Sequence, residues 1–112
     1  MIEIYVYSFL KDNLPVPVFT QKPSEDIPKR YVLIDRIGGS KENHLKSATI
    51  AFQSYAESKY EAAKLNEEVK KVVEQMIELD EIAGISLDND YNFTDTTTKE
   101  YRYQAVFDIN HY

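Results

Sequence analysis

Apolar and charged residues recur with helical spacing in the second half of the chain. Between Ser58 and Leu79, apolar side chains return every three or four positions, and Lys and Glu fill the positions between them. This spacing places the apolar side chains on one face of a helix. Ser58 and Glu61 fit a capping box, in which each side chain accepts a hydrogen bond from a free backbone amide. The pattern predicts an amphipathic helix of about 20 residues.

Strict alternation of apolar and polar positions predicts strands elsewhere. Residues 101–110 alternate with a period of two, and residues 85–93 do the same. The polar run 95–99 between them predicts an antiparallel hairpin. Residues 31–37 and 47–56 are apolar and alternating enough to predict two further strands.

Shorter elements are expected at the N-terminal end and between the two central strands. Ile2–Leu14 carries one apolar stripe and predicts a short helix, which the following prolines stop. Residues 16–19 fit a short strand that proline confines to an edge or a strand start. We expect the strand over 31–37 to end at Gly38–Gly39, where a glycine with positive φ would serve the turn, and residues 40–46 to form a polar loop.

These elements predict one α+β domain over residues 1–112. We expect a mostly antiparallel mixed sheet, with the long amphipathic helix packed on one face and a short N-terminal helix. The sequence contains no internal repeat and no linker that would divide it.

Composition narrows the class of function. The 112 residues carry a formal net charge of −6, which disfavours a nucleic-acid binder held by basic contacts. The chain has no cysteine, so a disulfide framework and thiolate metal sites are excluded. The first residues contain no basic stretch and no small-residue cleavage site, so we expect no secretion signal. No apolar run is long enough to span a bilayer. We therefore expect a soluble protein without a membrane partner.

Candidate chemistry is sparse. His44 and His111 are the only histidines and have no zinc-ligand spacing. Residues 88–92 begin like a calcium loop, but Phe93 and Lys99 stand where that loop needs Gly and Glu. Residues 38–41 lack the spacing of a phosphate loop. We expect no catalytic residue, no metal and no cofactor, and therefore a protein that is not an enzyme.

Several runs of scaffold sequence are similar to one family of proteins. The chain resembles the small tail-terminator, or tail-completion, proteins of siphophages through most of its length. The similar runs are Tyr31–Gly39, Asn43–Leu45, Ala48–Ala56, Asp90–Asp95 and Tyr101–Asp108.

The resemblance implies a structural virion protein of a bacteriophage. Such proteins assemble from monomers into a hexameric ring that caps the tail tube, ends tail polymerisation and presents a surface for head–tail joining. The implied partners are further copies of the chain, the major tail tube protein and a head-completion or neck protein. DNA passes through the ring only as cargo. The implied location is the head-proximal end of the viral tail, after synthesis in the bacterial cytoplasm.

Exposed loops at strand ends are the expected contact sites, because loops carry interactions while the scaffold stays fixed. Loops 23–29, 38–44 and 95–99 meet this description. A neck or head-closure connector is the first alternative function, and a small regulatory or ligand-binding domain outside phages is the second. The candidate subunit and tail interface residues are Ile37, Gly38, Gly39, Ser40, Asn43, His44, Thr96, Thr97 and Lys99.

Overall fold

Two helices and five strands make up the fold in the computed structural model, which describes residues 2–42 and 45–112. The second helix continues into one 3₁₀ turn at Met76–Glu78. In chain order the elements are α1 Ile2–Asn13, β1 Val18–Phe19, β2 Tyr31–Glu42, β3 Leu45–Ala56, α2 Lys59–Gln75, β4 Ile82–Asn92 and β5 Tyr101–His111.

The strands form one sheet in the order β1-β2-β3-β5-β4. β1 runs parallel to β2, and each of the other neighbouring pairs is antiparallel. The predicted α+β class, the mixed but mostly antiparallel sheet and both helices are therefore confirmed. The proline-flanked strand β1 lies at an edge of the sheet, as predicted.

Both helices pack on the same face of the sheet. α1 contributes the fully buried Val6 and Leu10, and α2 contributes Val69 and Val73 to one continuous core with the inward residues of β2, β3 and β5. The other face carries no helix in the described part of the chain. In the core the rings of Phe52 and Phe107 meet edge to face, with centroids 5.8 Å apart, a favourable geometry for aromatic pairs.

The start of α2 contains one of the two predicted capping bonds. The backbone amide of Glu61 donates to the Ser58 hydroxyl at 3.1 Å. The Glu61 carboxylate lies against Arg30 instead of returning to Ser58, with Nη1 and Oε2 3.2 Å apart. The first turn of α2 is thereby tied to the residue that precedes β2.

The predicted end of the second strand is wrong. β2 continues through Gly38–Ser40 to Glu42, and β3 already begins at Leu45, so the expected polar loop over 40–46 is mostly hairpin. Neither glycine has a positive φ. The two strands pair past the glycines, with a bulge at Ile37, because β3 offers a backbone partner at every following row. The tip residues 43 and 44 lie outside the described residues.

Candidate assembly interface

The predicted interface residues fall into two groups at opposite ends of the sheet. Ile37–Ser40 lie in the half of β2 that leads to the hairpin tip. Thr96, Thr97 and Lys99 lie in the loop between β4 and β5 at the other end. Across the sheet, Gly39 lies in the same row of paired residues as Ile85. Ile85 is eight residues, or roughly 25 Å, from the start of that loop. These residues cannot form one contact surface. The predicted Asn43 and His44 lie outside the described residues.

Gly39 has a packing role in the first group. A Cβ built there would lie 2.3 Å from Nη2 of Arg36 and 3.1 Å from the carbonyl oxygen of Ser47. The Arg36 side chain crosses Gly39, where its Nε donates to the Gly38 carbonyl at 3.2 Å and its Nη1 lies 3.4 Å from Glu3. The missing side chain therefore lets a guanidinium lie flat along β2 and reach α1.

The second group belongs to a closed loop. The backbone amides of Thr97 and Thr98 donate to Asp95 Oδ1 and lower the pKa of that carboxyl. Lys99 holds a left-handed backbone with φ of 58°. The loop is joined to segment 20–30 by Lys22, whose Nζ lies 2.8 Å from Glu100. Two of the three predicted contact loops therefore share one end of the sheet.

Both outer strands of the sheet leave backbone groups without a neighbouring strand. Among the described residues, β4 pairs only with β5. On the other side β1 covers β2 only at Val32 and Leu33. The outer side of β2 is consequently open from Ile34 to Glu42. Open edges of this length are ready templates for pairing with another strand.

Charged side chains are distributed differently at the two edges. Residues 72–98, which contain β4, hold seven acidic side chains and no basic one. The open part of β2, residues 34–42, holds two basic and two acidic side chains, and Lys46 of β3 joins Arg36 and Lys41 on the helix side. Lys70 on α2 pairs with Asp90 on β4. Asp80 and Glu81 directly precede β4 and place two further negative charges at its first residue. The β4 edge is thus acidic, whereas the β2 edge carries a cluster of basic side chains only on its helix side.

The β2 edge borders a groove that is partly apolar. The groove has a volume of about 410 Å³ and is lined by Ile4 and Ile34 together with the polar residues Glu3, Thr20, Asp35 and Arg36. The Ile4 side chain is 60% exposed and that of Ile37 is 56% exposed. Next to it, an open cleft of about 510 Å³ is lined by basic side chains on the helix side of the hairpin. These are Arg36, Lys41 and Lys46, together with His111.

The β4 edge also exposes apolar side chains. Leu87 is 44% exposed, and Ile77 in the 3₁₀ turn beside this strand is 48% exposed. Leu87 shares a row with Phe107, so its side chain lies on the helix side of the sheet. Each edge therefore combines open backbone with exposed aliphatic side chains.

A chain of side-chain hydrogen bonds crosses the helix-free face. Arg102 Nη1 donates to the Tyr55 hydroxyl at 2.9 Å, and that hydroxyl donates to Gln53 Oε1 at 2.8 Å. Gln53 Nε2 donates to Gln104 Oε1 at 2.9 Å, and Gln104 in turn donates to the Tyr91 hydroxyl. The chain joins β3, β5 and β4 and uses residues from polar runs that the sequence marks only as one face of strands.

Carboxylates lie further along the same face. The Thr49 hydroxyl donates to Asp108 Oδ1 at 2.6 Å. A hydrogen bond with Asp108, together with some desolvation and the charge of that residue, raises the pKa of Asp88. Asp35 shares a row with Ala51 and lies on the same face. This half of the helix-free face is polar and acidic.

Within residues 2–42 and 45–112, no cluster of three or more His, Cys, Asp or Glu side chains is arranged to hold a metal ion. None of the helices in those ranges is long and apolar enough to cross a membrane. The zinc combination of His44 with His111 lies partly outside the described residues.

Sequence reasoning expected contact through edges and loops but did not identify which strands form the edges. Edge position depends on the order of strands in the sheet, which the hydrophobic pattern does not encode. The run of acidic residues over 72–98 was a usable signal, because charge on a strand is one of the marks of a sheet edge.

Comparison with models of known protein families gives no match to this chain, and no curated protein matches it either.

Proposed function

We propose that this protein is a structural subunit of a bacteriophage tail, which assembles as a hexameric ring, caps the tail tube and joins it to the head. The observation that carries the proposal is the pair of open edges on one sheet, of which the β4 edge is acidic and the β2 edge has a basic cluster on its helix side. A surface that contacts a different surface on the next copy is heterologous, and such contacts close into a ring when the rotation fits. The resemblance of the sequence to siphophage tail terminators is the reason for proposing a phage tail as the place of this ring.

The helix-free face supports a channel role in this assembly. The part of this face that lies beyond the chain of side-chain hydrogen bonds carries Asp35, Asp88 and Asp108, together with short polar side chains. Carboxylates repel the phosphate backbone, and their repulsion keeps DNA from binding to the wall of a channel. A ring with this face inward would pass DNA without holding it.

Deletion of the gene from the phage that encodes it tests the capping role. Without a terminator, tube polymerisation has no defined end, so negative-stain images should show tails of variable and excessive length and heads without tails. A plasmid copy of the gene should restore one tail length. Tails of normal length in the deletion would overturn the proposal, and so would a gene that lies apart from tail and connector genes.

A neck or head-closure connector is the alternative within a phage, because a ring with open edges fits either position. The binding partner distinguishes a tail terminator from a head connector. The purified protein should bind the ends of purified tail tubes, as seen by immunogold labelling, and should not bind tailless heads. Binding to heads alone would favour the connector.

A further inference from the structure

We infer that neighbouring copies join by strand addition, with β4 of one subunit pairing antiparallel to the open part of β2 in the next. The inference rests on the proposed ring and names the surfaces that form it. The partner at each edge is a second copy of this chain.

Strand direction supports this partner. β2 runs antiparallel to β3, β3 to β5 and β5 to β4, so β4 runs opposite to β2. Rotation about an axis that follows the strands preserves their direction. Each β4 would therefore meet the next β2 in the antiparallel sense, and the alternation within the sheet would continue from one copy to the next.

The lengths of the two edges also match. β1 leaves β2 open from Ile34 to Glu42, which is nine residues or about 30 Å. The rows of Ile34 and Lys41 cross the sheet to Asp90 and Ile82. The available part of β4 therefore lies at the same height as the open part of β2.

Both edges carry a bulge within one row of each other. Ile37 is the extra residue between Arg36 and Gly38, and Asp88 is the extra residue between Leu87 and Asn89. β4 has a second irregularity at Ala83, between Ile82 and Gly84. Bulges discourage pairing with arbitrary strands. The bulges at Ile37 and Asp88 would face each other across the contact.

Side chains at the edges complement each other. Leu87 of one copy would enter the groove beside Ile4 of the next, since both lie on the helix side. At the hairpin end, the row of Lys41 leads to Ile82, which follows the acidic Asp80 and Glu81. Lys41 would then face these carboxylates across the contact. Complementary potentials of this kind select the partner and suppress wrong ones.

Cysteine crosslinking tests the contact directly, because the chain has no native cysteine. Ser40→Cys and Ser86→Cys place thiols on exposed positions of the helix-free face, one at each edge. The two edges of one sheet are separated by three strand spacings, or about 14 Å, so a bismaleimide of shorter reach cannot link them within one chain. Virions carrying the double variant should give a ladder from dimer to hexamer on a denaturing gel.

The single variants serve as matched controls and should give no crosslinked dimer, because residue 40 of one copy lies within two rows of residue 86 of the next copy, whereas neither residue lies near its own counterpart. Virions that contain the normal amount of the protein but give no ladder would overturn strand addition and leave the ring intact. Dimers from either single variant would do the same. Virions without the protein would overturn the tail role and, with it, this inference.

Charge reversal provides a second test of the contact between β4 and β2. Lys41→Glu or Asp80→Lys alone should reduce the crosslinked ladder about tenfold, since like charges then face each other. The two changes together should restore most of it. Lys71→Glu, the same charge change on the exposed face of α2, should have no effect. Equal loss with Lys71→Glu, or no rescue in the pair, would contradict the proposed pairing.

Discussion

Gly39 illustrates how a single missing side chain organises a strand. A Cβ at this position would approach the Arg36 guanidinium and the Ser47 carbonyl, whereas a Cβ at Gly38 would have its nearest neighbour 3.7 Å away. Both backbones are extended, so neither change introduces a strained φ. The two glycines therefore differ in the space around them and not in backbone freedom.

We expect Gly39→Ala to lower the free energy of unfolding by about 1 kcal/mol, because Arg36 must leave its place and the Ser47 backbone must shift. Gly38→Ala is the matched control and should be neutral or slightly stabilising, since alanine restricts the unfolded chain. Urea unfolding followed by circular dichroism measures both. Equal effects of the two changes would contradict the crowding seen at Gly39.

Asp88 gives a prediction about pH. Its raised pKa means that the carboxyl ionises less readily in the folded than in the unfolded chain. Stability is therefore lost as pH rises from about 4, the ordinary aspartate value, through the folded pKa. Asp88→Asn removes this loss and should raise the Tm near neutral pH. The gain should disappear at about pH 3, where the Asp88 carboxyl is protonated in both the folded and the unfolded chain. A gain that persists in acid would point to a cause other than ionisation.

At the scale of elements, β4 is held to α2 by one carboxylate. Asp90 accepts a hydrogen bond from Asn66 Nδ2 at 2.7 Å and lies 2.5 Å from Lys70 Nζ. Asn66 is only 2% exposed, so its amide has little access to water. The contact fixes an edge strand that otherwise packs mainly through β5 and the 3₁₀ turn.

We expect Asp90→Ala to destabilise the protein by about 1–3 kcal/mol, because a buried amide loses its partner. Amide hydrogen exchange should also quicken along β4 more than along β3. Ser86→Ala, an exposed change on the same strand, is the control and should have little effect. Uniform acceleration throughout the sheet would show global unfolding instead of a loosened edge.

Elements with strong periodicity could be predicted from the sequence, and elements defined by pairing could not. The stripe over α2 and the alternation over β5 each reflect one buried face, so local spacing reveals them. The extension of β2 past Gly38–Gly39 depends on β3 lying beside it. Glycines there indicate a turn when only the local sequence is considered.

At the scale of the whole molecule, the candidate site was predictable only in part. The sequence predicts that residues 37–40 and 96–99 are exposed, and both groups are exposed, although residues 37–40 lie in a strand and not in a loop. It does not indicate that a sheet separates them, since the order β1-β2-β3-β5-β4 arises from tertiary packing. For the same reason, the two edges could not be identified before the fold was known.

The overall charge yields a prediction about DNA. With a net charge of −6 and acidic side chains on the helix-free face, the purified protein should not retain duplex DNA in a mobility-shift assay at physiological salt. A basic DNA-binding protein in the same buffer serves as the positive control. Retention that weakens as salt is added would reveal a cationic binding surface and contradict a non-adhesive channel.

The hydrogen-bonded row on the helix-free face also has a consequence for how the chain folds. Gln53 stands opposite Gln104, and a slip of one residue would place it opposite Tyr103 or Ala105, whose side chains point to the other face. Such a misaligned intermediate would lose every amide and hydroxyl partner in the row as well as its apolar burial. The hydrogen-bonded row at the centre of the sheet therefore favours the native register of β3 and β5. The positions of the strands that pair on either side of them follow from that register.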